Sequence, residues 1–151
     1  MNFKALFHYV SYLQYPLMLI ALYFAFSPYL SGIDALKENP DLIFQKLNAC
    51  LIFMGLGISF LSLQDTTKTQ NKISKDVWEN PKKGKIAIIL ISMLILFVLI
   101  LGLIGYFYSV DGILKDLSIG FIVFGLGLFG LLKAAVEMFE NHRKDKNIKL
   151  S

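Results

Sequence analysis

The sequence holds one cysteine, Cys50, and two histidines, His8 and His142. One cysteine excludes an intramolecular disulfide, and with it a four-helix disulfide oxidoreductase, which works through cysteine pairs. The two histidines stand in the first apolar run and near the C-terminus, so bis-histidine haem ligation across helices has no ligand set. Arg143 is the only arginine, which argues against four-helix glutathione-dependent membrane enzymes. No Asp or Glu falls midway along an apolar run, as a small multidrug transporter working through a first-helix carboxylate would require. No Ser–His–Asp set can be assembled. These absences predict a protein that is not an enzyme and has no metal site or cofactor.

Charge is scarce too. Charged residues make up 17% of the chain and hydrophobic residues 56%, whereas soluble domains are nearer a quarter charged. The charges are clustered, leaving apolar stretches at about 7–26, 42–63, 86–108 and 113–132, with a loop at 64–85 and a tail at 133–151. Each stretch has about 20 residues, enough for a helix to cross about 30 Å of hydrocarbon. Backbone groups in lipid must be satisfied within their own segment, so these segments read as helices. A transmembrane barrel would show short alternating segments, and 86–108 does not alternate. The expected fold is therefore an all-α integral membrane protein, a single domain built as a four-transmembrane-helix bundle. The first run exceeds a signal-peptide core, and its nearest small-residue site, Ala25-Phe26-Ser27, is followed by Pro28. It is expected to stay as the first helix.

Basic residues give the orientation. Twelve of the fifteen fall in the N-terminal segment, the 64–85 loop and the C-terminal tail, while Lys37, Lys46 and Lys115 fall on the other side. The positive-inside rule then places both termini in the cytoplasm, with the helices as two antiparallel hairpins. Lysine in place of arginine is a habit of AT-rich bacterial genomes, which suggests a bacterial inner membrane. The net charge of +4 thus reads as topology, and no basic face for nucleic acid is seen. Asn39-Pro40-Asp41 and Asn80-Pro81 open the second and third helices, and Asp111-Gly112 is the tight turn before the fourth. Residues 32–38 suggest a short surface helix, and the second helix is expected to run on past Gln64 until Pro81 ends it. Trp78 beside Lys82, Lys83 and Lys85 reads as an interfacial anchor over anionic headgroups.

Gly125-x-Gly127-x-x-Gly130 matches the dinucleotide-binding fingerprint letter for letter. That fingerprint works only between a strand and a helix start, and here it lies inside an apolar helix. No nucleotide cofactor is expected. At 100° per residue, Gly120, Gly127, Gly130 and Ala134 share one narrow face, which suits close helix packing in lipid. Gly125 points the other way, toward a second contact. In the second helix Asn48, Gly55, Ser62 and Thr69 recur every seven residues, with Ser59 and Thr66 beside them. MGLGISF and FGLGLFG echo each other at an offset of 70, a hint of duplicated hairpins, but their small faces do not superpose.

The first helix has a polar stripe of His8, Ser11, Tyr12 and Tyr15, on which Pro16 frees the Tyr12 carbonyl. With Asn48 this predicts a hydrogen-bonded seam between the first two helices. Interhelical glue is favoured over a water-lined path, because ion pathways usually carry an intramembrane charge. Lys133 and Glu137, at i and i+4, could serve as a gate or a partner contact, and read first as a snorkelling interfacial pair. The functional expectation is a small non-enzymatic subunit or accessory protein, packing through its small-residue faces against other membrane subunits or itself. The alternative is a small oligomeric pore or transporter using the seam.

Overall fold

In a computed structural model the structure describes residues 3–30, 32, 37–67, 72–110 and 112–147. Most of them are helical, with no strand among them. In chain order the elements are α1 (Phe3–Ser11), α2 (Gln14–Leu30), α3 (Asp41–Ser59) with a 3-10 extension (Phe60–Leu63), α4 (Lys72–Glu79), α5 (Pro81–Tyr108), α6 (Ile113–His142) and α7 (Lys144–Asn147). Four spans are long and apolar enough to cross a membrane: Ala5–Leu30, Asp41–Leu63, Pro81–Tyr108 and Ile113–His142. Much of their apolar surface faces outward. In the most apolar window of α5 only 17% is buried, so lipid is the environment that suits it.

Prolines explain the irregularities of the first span. Pro16 has no N–H to give the Tyr12 carbonyl. The chain tightens there, and Tyr15 N–H donates to that carbonyl at 3.1 Å. The acceptor expected to be free is therefore taken by the backbone. Pro28 likewise leaves the Phe24 carbonyl, which accepts from the Ser27 hydroxyl at 3.2 Å.

The starts of the other spans are set locally. Asn80 caps α5 through its side chain, which accepts from Lys82 N–H at 3.0 Å and Lys83 N–H at 3.2 Å, with Pro81 in the first turn. Asn39 acts through its carbonyl, which accepts from Leu42 N–H at 3.2 Å. Gly112, at φ +143°, precedes α6. That backbone conformation favours glycine, and the Gly112 carbonyl accepts from Lys115 and Asp116 N–H. Asp111, Thr69 and residues 33–36 of the expected surface helix lie outside the described residues.

One boundary differs from the sequence reading. The second span does not run on toward Pro81. It tightens into the 3-10 turn and stops, with Gln64 extended, and α4 is a separate helix. The polar run after Leu63 has little apolar surface to bury along a straight continuation. The tail expected from Lys133 is helical as far as His142, because α6 continues there. Ala134, Ala135 and Phe139 stay buried there and keep the helix packed.

The spans form a row. The first span packs on α3, α3 on α6, and α6 on α5. Contact partners on α3 and α6 ascend together: Asn48 with Gly120, Gly55 with Gly127, Ser59 with Gly130. On α5 and α6 they run oppositely: Gly84 with Phe139, Gly102 with Ile122, Gly105 with Ser118. The buried apolar cluster of Ile95, Val98 and Leu128 joins α5 to α6, with Ile58 of α3 against it.

Candidate functional site

The two central helices meet on small residues. A Cβ on Gly127 would fall on the backbone of Gly55, and one on Gly55 would lie 2.6 Å from the Val123 carbonyl oxygen. A Cβ on Gly130 would lie 2.9 Å from the Ser59 Cα. Lipid gives helices little hydrophobic drive to associate, so close backbone approach supplies the packing. Ala134 is buried on the same helix. Gly125 faces α5, where its Cβ would stand 2.6 Å from Leu99 Cδ2. Gly57 faces the first span, where its Cβ would stand 3.1 Å from Met18 Sδ. The small faces expected to receive partner subunits are thus turned on each other inside the chain.

The polar seam divides. Ser11 is fully buried, yet its hydroxyl donates to the His8 carbonyl of its own helix at 2.7 Å. The Tyr12 hydroxyl meets His8 Nε2 at 3.2 Å, and Tyr15 is exposed and stacked on Tyr12. Asn48 does not join this stripe. A Cβ on Gly120 of α6 would run into its side-chain Oδ1 and its carbonyl oxygen, and that Oδ1 is buried without a hydrogen-bond partner. The missing Cβ at position 120 is what admits the carboxamide, so Asn48 belongs to the central contact.

Beyond Leu63 the chain is clamped to α6. Thr66 is buried. Its hydroxyl donates to Glu137 Oε2 at 3.4 Å and accepts from Asn141 Nδ2 at 3.2 Å. Its carbonyl lies 3.1 Å from His142 Nε2. Ser62 Oγ donates to the Ser59 carbonyl, and the Ser62 carbonyl accepts from Lys133 Nζ at 3.2 Å. Lys133 also pairs with Glu137 at 3.0 Å. The pair expected to snorkel therefore caps the end of the second span, where a cation meets unsatisfied carbonyls. Sequence reasoning named Thr66 and counted His142 only as an excluded haem ligand, and it did not name Asn141. Their signal was polar spacing on α6 one turn beyond Glu137.

This end of the row also carries the charge pairs. Lys144 bridges α7 to Glu79 of α4 at 2.8 Å. The hydrogen bond from Lys144 holds the Glu79 carboxyl below its ordinary value, and the same bond raises the Lys144 amine. Lys83 pairs with Asp76, while Trp78 is half-buried and Lys82 and Lys85 are exposed. An open cleft of about 800 Å³ lies between α1, the 62–67 turn and α6. His8, Ser62, Gln64, Asp65, Lys133 and Glu137 line it.

No family model matches the chain, and no curated protein or solved structure matches it either.

Proposed function

We propose that the chain is a small non-enzymatic subunit or accessory protein of a larger complex in a bacterial inner membrane. It folds as two antiparallel hairpins with both termini in the cytoplasm. The observation that carries this reading is the row of spans. The small faces of α3 and α6 are spent on each other, while among the described residues the first span and α5 each pack closely on one other span. Partner contacts then fall on these two flanks, where large apolar side chains such as Phe97 and Phe107 of α5 are exposed, and not on the glycine faces. A pore along the first two spans has less support, since Asn48 is turned toward Gly120. Purification of the tagged chain in mild detergent tests the proposal. A partner at fixed stoichiometry, with no flux when the pure chain is placed in liposomes, is the expected result. A partner-free chain that conducts in liposomes would overturn it.

A further inference from the structure

The cleft beside Lys133 lies where an apolar slab ends. From Ile113 to Lys133 α6 runs about 20 residues, about 30 Å of helix, which is one hydrocarbon thickness. The second span ends at Leu63, and the first begins at Ala5. Ala5, Leu63 and Lys133 all line the cleft. It therefore stands at headgroup depth if these spans cross the bilayer, and its floor is the clamped turn after α3.

Its lining carries both signs of charge. Lys133 offers an ammonium on a side chain that is 59% exposed despite its bonds to Glu137 and the Ser62 carbonyl. Glu137 and Asp65 offer carboxylates, and Ser62 and Gln64 add hydroxyl and amide groups. His8 lines the same space, with its Nε2 held by the Tyr12 hydroxyl. Ala5, Phe7 and Leu63 give the cleft an apolar wall.

We propose that this cleft holds the headgroup of a zwitterionic phospholipid, with its phosphate toward Lys133 and its amine toward Asp65 and Glu137. A headgroup that is only negative offers nothing to the carboxylates of Glu137 and Asp65. A headgroup with an ammonium and a phosphate answers both signs, because charge-assisted hydrogen bonds form at each end. The apolar wall takes the start of the acyl chains. Such a site holds lipid at the joint between the first span and the clamped turn.

Native mass spectrometry of the full chain tests this. The probes are phosphatidylethanolamine and phosphatidylglycerol with the same acyl chains, and soluble phosphoethanolamine as competitor. The expected result is one phosphatidylethanolamine retained at least about tenfold more tightly than phosphatidylglycerol, a gap a single charge-assisted contact can supply. Lys133→Gln lowers that retention. Because Lys133 also caps the second span, Ala5→Trp is the second variant. It fills the cleft from its exposed wall, and should abolish the preference while helical content and melting temperature are kept. Equal retention of the two lipids would overturn the proposal, as would an unchanged preference in Ala5→Trp. Displacement of the lipid by an equal concentration of soluble phosphoethanolamine would assign the cleft to a soluble ligand and overturn the lipid reading.

Discussion

Gly127 of α6 rests directly on the backbone of Gly55 of α3, so that a side chain at either position meets main chain and not a movable group. With Gly130 against Ser59 and Gly125 against Leu99, this pair accounts for the glycine fingerprint in the fourth span. The glycines remove Cβ atoms where two helices cross, and no phosphate is needed to explain them.

Gly127→Leu should therefore destabilise the protein by about 1–3 kcal/mol, the usual cost of overpacking, or more where backbone must shift. Gly125→Leu should cost less, because the atoms in its way belong to the side chains of Leu99 and Val98. Thermal unfolding of both variants in mild detergent compares them. A Gly125→Leu protein as unstable as Gly127→Leu would mean that backbone contact does not set the cost. Addition of NAD or FAD should leave every melting temperature unchanged.

Asn48→Ala should be mild, within about 1 kcal/mol, since the lost side-chain oxygen has no hydrogen-bond partner to leave behind. It should also leave partner retention intact. A folded Asn48→Ala protein that loses an ion or solute flux shown by the wild type would restore the pore reading.

Thr66→Val should cost about 1 kcal/mol through the lost hydroxyl bonds to Glu137 and Asn141. The effect should be local. Hydrogen exchange should quicken in residues 62–67 and the last turn of α6 before it changes in the central contact. Uniform loosening of all four spans would show that the clamp is not a separate unit.

The α4–α7 bridge has a defined pH window. Glu79 has its carboxyl lowered from 4.5 by the Lys144 hydrogen bond. Its contribution is therefore present above that ordinary value and is lost as pH falls through the lower folded value. Lys144 is raised from 10.5 by the same bond. Its contribution is full below that value and is lost as pH rises through the higher folded one. Protection of α7 amides should be flat between these limits and fall outside them; Glu79→Gln should remove the alkaline edge and shrink the acid one, which Glu140, lowered by its bond from Lys146 of α7, also sets. The bridge lies at the surface, so high salt should flatten the profile.

The four spans were legible because length and apolarity alone decide them, and Asn80-Pro81 marked a helix start to the residue. The role of Asn48 was not legible. Heptad spacing put it on a small polar face with Gly55 and Ser62, but only packing shows that this face meets Gly120 and Gly127 and not the tyrosine stripe. The echo between MGLGISF and FGLGLFG failed to superpose for a physical reason. In α3 the first glycine, Gly55, faces the other central helix and Gly57 faces the first span. In α6 the order is exchanged, with Gly125 facing α5 and Gly127 facing α3. The glycines of α5 carried a readable signal that went unused: Gly102 and Gly105 continue the spacing of Ile91, Ile95 and Val98, the face that meets α6. The end of the second span at Leu63 could not be read, because the Thr66 clamp that fixes the following turn depends on residues 71 to 76 positions away in sequence.

The partner flanks and the lipid cleft both depend on four spans crossing a bilayer with the basic end inside. Single cysteines at Glu38 and Lys72 in a Cys50→Ser background, probed in intact cells with a membrane-impermeant thiol reagent, test this directly. Glu38→Cys should be labelled from outside, and Lys72→Cys only after the membrane is opened. Labelling of Lys72→Cys alone in intact cells, or of both positions, would contradict that orientation.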